Sequence, residues 1–205
     1  MNTSRSLWIG WAVTPEVRED YGVLVCAGHG FKENGLDTGA VSDGLLECVV
    51  NAAIVRRIAE MAFTCHLPVI GYSGFTYPIK TQWIKSVRRY FRLAIDVHVN
   101  WYESKRVNGV EVLVHERHKR SDVRRTAEVL CQMISHELSY RNRGVKFRHD
   151  LEFLNVLYPT PAMVTESGFL SNSDCWEDIV RGEFVEKVAL AHIKFISEYI
   201  REVRG

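Results

Sequence analysis

The segment that most constrains the fold is Tyr21 to Ala27 (YGVLVCA), a nearly unbroken apolar run that stops at Gly28-His29-Gly30. A short run without polar alternation fits a strand covered on both faces, because a half-exposed strand shows a polar residue at every second position. A strand buried on both sides needs helices above and below it, which is the layering of an α/β domain. The rest of the chain supplies such parts in alternation. Leu45 to Met61 carries Leu46, Val50, Ile54, Ile58 and Met61 at helical spacing, with Asp43 placed to cap it. Pro68 to Tyr72 reads as a second strand and Trp83 to Phe91 as a basic helix. Ala94 to Asn100 (AIDVHVN) and Gly109 to His115 (GVEVLVH) alternate cleanly, with Ile95, Val97 and Val99 on one face and Asp96, His98 and Asn100 on the other. Ser121 to Tyr140 forms an amphipathic helix capped by Ser121, and Ala162 to Thr165 is a last short strand. A long terminal helix over Glu177 to Val203 is striped by Val180, Phe184, Val188, Ala191, Phe195 and Tyr199. The expected architecture is one α/β domain over residues 1–205, with residues 1–20 as an N-terminal arm or extra strand. No strand order follows from the pattern.

Composition removes several function classes. Of 205 residues, 46% are hydrophobic and 25% charged, the balance of a globular domain and not of a disordered chain. Lys and Arg number 26 against 25 Asp and Glu, a net charge of +1, so there is no basic excess to neutralise phosphates and no nucleic-acid partner is expected. Arg117-His118-Lys119-Arg120 and Arg141-Asn142-Arg143 read as solvated charge. Nothing approaches the roughly 18 consecutive apolar residues of a membrane span, so no integral membrane segment is expected. The patch Leu7 to Val13 contains two Trp and runs into Glu16, Arg18, Glu19 and Asp20 without a small-residue cleavage site, which reads as a structural strand. Five widely spaced cysteines with no CxxC pair suit free thiols in apolar surroundings.

Chemistry concentrates at four residues. His29 sits where the apolar strand gives way to a glycine-rich loop, at the strand's carboxyl end, where open α/β sheets bind ligands. The alternative is an ordinary polar loop residue. Glu47 lies in the first turn of the following helix, either as a carboxylate favoured by the helix dipole or as a group turned toward protein by its apolar neighbours. His98 occupies the polar face of an apolar strand between Asp96 and Asn100, where a buried imidazole needs a hydrogen bond or a task. Two His and one carboxylate make a catalytic zinc set with one position left for water or substrate, yet no HExxH-type spacing is present to draw them together. Glu166, at the end of the last apolar strand, is a carboxylate that could move a proton beside such a metal, or one simply bonded to a loop residue such as Asn172.

Taken in order, these residues resemble a known family. Ala27-Gly28-His29-Gly30, Asp37-Thr38-Gly39-Ala40, and Glu47 with Asn51 resemble the opening motifs of the zinc-dependent N-acetylmuramoyl-L-alanine amidases of the amidase-3 type. Asp96-Val97-His98-Val99-Asn100 resembles their S-I-H-x-N strand, Gly109-Val110-Glu111-Val112 their G-V-E-V strand, and Arg143-Gly144-Val145-Lys146 their R-G-V-K. Pro161 through Asn172 resembles P-A-x-L-x-E-x-G-F-L-S-N. The resemblance covers about Tyr21 to Tyr199. It implies a central, mostly parallel twisted sheet flanked by helices, one Zn2+ held by His29, Glu47 and His98, and Glu166 as general base and acid. It also implies supporting roles for Asn100, Glu111 and Asn172, and peptidoglycan as partner, cut at the amide between N-acetylmuramic acid and L-alanine.

The chain departs from the pattern in three places. No Thr-Arg pair follows the second strand, where the sequence reads Ile70-Gly71-Tyr72-Ser73-Gly74; Asp96 stands for a small polar residue, and Cys26 for an acidic one. Two rival readings keep the fold: a non-catalytic structural or wall-binding protein, and a zinc peptidase cutting within the stem peptide. With neither a leader pattern nor room for a wall-binding module in the sequence, the expected setting is an enzyme made in the cytoplasm that acts on the wall after release. A phage endolysin or virion-associated lysin fits that setting, as does a sporulation amidase.

Overall fold

The computed structural model of the chain describes residues 7–9, 22–75 and 80–204. In chain order the elements are β1 (Leu7–Ile9), β2 (Val23–Ala27), β3 (Gly30–Lys32), β4 (Gly35–Asp37), β5 (Val41–Ser42), β6 (Leu45–Leu46), α1 (Glu47–Thr64), β7 (Val69–Tyr72), α2 (Lys80–Val87), β8 (Leu93–Asn100), β9 (Val110–His115), α3 (Asp122–Leu138), β10 (Asn142–Arg148), α4 (Glu152–Leu157), β11 (Ala162–Phe169), α5 (Ser173–Val180) and α6 (Glu183–Arg204). Seven strands form one sheet in the order β1-β7-β2-β8-β11-β9-β10. All neighbours run parallel except β11 and β9, so the β9–β10 pair points against the other five strands. The α/β domain expected from the pattern, and the mostly parallel sheet implied by the resemblance, are therefore present. β1 pairs with β7 at the sheet edge, placing Leu7–Ile9 in the sheet, while the rest of the expected N-terminal strand lies outside the described residues.

Both faces of β2 are closed, as its composition requires: all five of its residues are 0% exposed. Val23, Val25 and Ala27 join Ile95, Val97 and Val99 of β8 and Val110, Val112 and Val114 of β9 under α1, α3 and α6. Leu24 and Cys26 face the other way, with Ala94, Leu113 and Val164, against Ile84 and Val87 of α2 and Leu154 and Leu157 of α4. Among the described residues, the helices over the second face are the short α2 and α4 and the turn at Arg88–Tyr90. Asp96 and His98 emerge on that side, beyond Ala94 along the strand.

Several local expectations are corrected. Asp43 does not cap α1. It and Gly44 both adopt positive φ (45° and 84°) as the turn of a β5–β6 hairpin, the Asp-Gly signature of such turns, and the helix starts at Glu47 after Leu46. Ser121 precedes α3, but its hydroxyl bonds His118 instead of capping. The terminal helix is two helices, broken at Arg181-Gly182, where Gly182 has φ 79°. Val180 therefore sits outside the buried stripe and is 56% exposed. β11 continues through Glu166 to Phe169, with an irregular register after Glu166, so Glu166 lies inside the strand and not at its end. The cysteines are all free, though Cys65 is exposed. None of the described helices is long and apolar enough to cross a membrane.

His192 is fully buried on α6. Its Nδ1 donates to the Val188 carbonyl at 2.8 Å, and Nε2 meets the Thr165 hydroxyl at 3.5 Å. Burial pulls its pKa from 6.5 down to about 4. The folded protein then binds fewer protons here than the unfolded chain between these two values, so this group's contribution to stability is complete above about pH 6.5 and is lost as pH falls toward 4. The expected loss is up to about 3 kcal/mol. Chemical denaturation of wild type and His192→Gln from pH 7 to 4 tests this: the wild type should lose more stability over that window. Parallel curves would contradict it.

Candidate metal centre

The fold gathers side chains from two parallel strand ends and a helix start. β2 ends at Ala27, and the chain turns through His29 with φ 63°, a left-handed conformation uncommon for a residue with a side chain. β8 delivers His98 on the face opposite its valines. Glu47, the first residue of α1, is 5% exposed and turns its carboxylate between the two imidazoles. Its Oε2 faces His29 Nε2 at 3.1 Å and its Oε1 faces His98 Nδ1 at 2.9 Å. One ligand atom from each of His29, Glu47 and His98 lies within 4.8 Å of the others. The sequence offered no spacing to draw these three together, and the fold does so.

Two backbone amides and one side-chain amide fix the carboxylate from the remaining directions. Oε2 accepts the Ala40 amide at 2.9 Å, while Oε1 accepts the Asn51 side-chain amide at 3.2 Å and the Val99 amide at 3.3 Å. The helix N-terminus favours a negative charge at the same place. Burial alone would raise the pKa of Glu47, but the donors from His29 and His98 outweigh it and hold the group well below the usual carboxylate range. Close approach also explains two glycines. A Cβ on Gly28 would lie 2.3 Å from the His98 ring, and one on Gly39 would lie 2.4 Å from the His29 ring and 2.5 Å from Glu47 Oε2.

Each histidine has a second carboxylate on its outward nitrogen. His29 Nδ1 meets Asp37 Oδ2 at 2.9 Å, and His98 Nε2 meets Asp96 Oδ2 at 3.3 Å. Burial lowers the pKa of His98, yet Asp96 and Glu47 together push it up to about 10. The outer carboxylates are in turn paired with Lys32 and Lys80. In the sequence Asp37 stands only within a motif, Asp96 is a departure from the family pattern, and nothing marks Lys80. The one signal for Asp96 was its position two residues from His98, on the same strand face.

Glu166 stands beside this cluster. It is the register partner of His98 across β8–β11 and of Glu111 across β11–β9, so the three side chains line up over neighbouring strands. Its Oε2 is buried and has no hydrogen-bond partner among the described residues. Burial raises its pKa to about 7, partly offset by His98 and reinforced by Glu47 and Glu111. A cavity of about 290 Å³ joins His29, Asp96, His98 and Glu166 to Arg148 and Phe153. Asn100 donates to Glu111 at 3.1 Å and Arg143 donates to its other oxygen at 2.9 Å, which holds Glu111 next to Glu166. Asn172 does not reach the cluster. It caps α5 by accepting the Cys175 amide and donates to the Lys105 carbonyl at 2.8 Å, so the alternative Glu166–Asn172 bond is not formed.

His29, Glu47 and His98 form a set that could hold a cation. Both imidazoles turn one nitrogen inward to Glu47 while a carboxylate holds the other, an arrangement that fixes the tautomer for metal binding. Two nitrogens and one carboxylate would suit a borderline cation, and three protein ligands would leave it a position for water or substrate.

Residues 23–198 match the family described as N-acetylmuramoyl-L-alanine amidase, amidase-3. Bacillus subtilis N-acetylmuramoyl-L-alanine amidase LytC is 27% identical over 181 residues, 86% of this chain but 35% of LytC, so the chain spans about a third of that relative's length. Among solved structures, the Clostridioides difficile CwlD amidase in complex with the GerS lipoprotein superposes with a TM-score of 0.75 at 20% identity, covering 89% of this chain and 99% of that one. The catalytic domain of the N-acetylmuramoyl-L-alanine amidase CwlV from Bacillus (Paenibacillus) polymyxa gives 0.71 at 24% identity, with 88% and 98% covered. Because the family match runs through the whole described sheet apart from its edge strand β1, and takes in His29, Glu47, His98 and Glu166, the chain belongs to the amidase-3 family of N-acetylmuramoyl-L-alanine amidases.

Proposed function

We propose that this chain is a zinc amidohydrolase that cuts the amide joining the lactyl group of N-acetylmuramic acid to L-alanine in peptidoglycan. The observation that carries the reading is the row of His98 and Glu166 on adjacent strands, with Glu166 Oε2 unpartnered among the described residues, next to three ligand atoms within 4.8 Å. His29, Glu47 and His98 would hold the ion. Zinc bound there supplies a Lewis acid for the amide carbonyl and eases the ionisation of water.

The chain's own groups do the proton work. Glu166, with a pKa of about 7, is able to accept a proton near neutral pH and to release it again. Its free Oε2 takes the proton of the attacking water as the new C–O bond forms. The same oxygen returns that proton to the alanine nitrogen as the C–N bond breaks, so charge and protons balance over the turnover. The Glu111 carboxylate beside Glu166 raises the affinity of Glu166 for that proton. Apolar side chains on the second sheet face, Leu113 and Val164 among them, line the cavity and limit water around the reacting groups.

The first test is digestion of purified peptidoglycan with mass spectrometry of the soluble fragments, with and without a chelator. The expected products are stem peptides beginning with L-alanine and an intact glycan, lost on chelation and restored by zinc. Fragments cut within the stem peptide would establish a peptidase instead. No release from several wall types would support the non-catalytic alternative. In the same assay Glu166→Gln should lower turnover by about 100-fold or more while the zinc content stays at wild-type level. Turnover within a few-fold of wild type would remove Glu166 from the chemistry. Gly28→Ala places a methyl group in the space of the His98 ring. It should fold yet bind zinc poorly, as read by elemental analysis after dialysis; full zinc occupancy would contradict the close packing described for His98.

A further inference from the structure

Asp96 is 3% exposed, and its partner across the β2–β8 ladder is Cys26, which brings no charge to that position. A buried carboxylate needs compensation, and Asp96 has it from the Lys80 ammonium together with the His98 ring. Lys80 Nζ donates to Asp96 Oδ1 and Oδ2, both at 2.9 Å, and to the Ala27 carbonyl at 3.1 Å. An ammonium has three protons, and all three are committed. Lys80 is therefore not a free cation for substrate, although it lines the cavity. It is the first residue of α2, and it grips two things at once: the end of β2, two residues before His29, and the carboxylate behind His98.

We propose that Asp96 and Lys80 are a positioning pair for the metal centre: Lys80 fixes Asp96, and Asp96 accepts the His98 Nε2 proton, which leaves Nδ1 as the nitrogen that faces the ion. The inference rests on the metal reading above and adds to it a ligand atom and two residues. His29 has the comparable chain through Asp37 and Lys32, but there the aspartate is 27% and the lysine 60% exposed, against 4% and 18% for Asp96 and Lys80. Water competes for the outer pair and is largely kept from the inner one. The inner pair therefore carries more of the orientation, and its removal weakens metal binding more. Lys80 also ties His98's support to the strand that leads into His29, so its loss reaches both imidazoles.

The test uses the full chain and zinc alone, with affinity measured by competition against a chelating indicator at pH 7. Asp96→Asn should weaken zinc binding about 10- to 100-fold. Lys80→Met should weaken it in the same direction, and Asp37→Asn by less than Asp96→Asn. A residue that served only to stabilise the fold would lower the unfolding temperature of the metal-free protein and leave zinc affinity alone, so Asp96→Asn within twofold of wild type overturns the proposal whatever its melting temperature. A second reading needs no variant. In long-range proton–nitrogen spectra of the zinc-loaded wild type, His98 should be protonated at Nε2 and metal-bound at Nδ1; metal at Nε2 overturns the proposal. A wild type that takes up no zinc fails the metal reading itself, which distinguishes that failure from this one.

Discussion

The carboxylate of Glu47 is the interaction on which the site depends. Five nitrogens converge on it: the two imidazoles, the amides of Ala40 and Val99, and the side chain of Asn51. These come from the ends of β2 and β8, from the loop after β4, and from α1 itself. One buried anion thus sets the relative position of three segments between residues 29 and 51 and of β8, whose His98 is 51 residues from Glu47. Burying it carries a desolvation cost that only this density of donors offsets. The same convergence leaves the two histidines aimed at a common point, so the folding solution for a buried carboxylate is also the geometry a cation needs.

The sheet makes that convergence reproducible. β2 and β8 are neighbouring parallel strands, so their carboxyl ends emerge side by side, and β11 extends the row to Glu166. One face is sealed by α1, α3 and α6. On the other, among the described residues, lie the short α2 and α4, and the cavity opens there, with Ile84 and Phe153 on its walls. Lys80 links the α2 side of that opening to the strands beneath. The packed sheet lies beneath His29, Glu47 and His98, and the cavity lies above His29 and His98.

Much of this was legible before the coordinates. The apolar run of β2 required a two-sided sheet, and the alternation of AIDVHVN placed Asp96, His98 and Asn100 on one face, as the structure has them. Elements of two or three residues carry no periodicity, so the β3–β4 and β5–β6 hairpins stayed hidden inside a glycine-rich loop, and Asp43 was mistaken for a cap. Gly182 breaks an otherwise continuous helical stripe, and a single glycine inside such a stripe is a weak signal. The meeting of Glu47 with His29 and His98 could not be derived from spacing, because nothing local records that α1 starts over the ends of β2 and β8. Family resemblance supplied those roles. It did not supply the Asp96–Lys80 pair, which joins residues 16 apart that share no pattern.

The most direct test of the central claim is anomalous diffraction at the zinc edge from crystals of the zinc-loaded protein. The account requires one strong peak within bonding distance of His29 Nε2, a Glu47 carboxylate oxygen and His98 Nδ1, with its open side toward the Glu166 carboxylate. A peak elsewhere, or none between these three side chains in crystals shown to contain zinc, would contradict it.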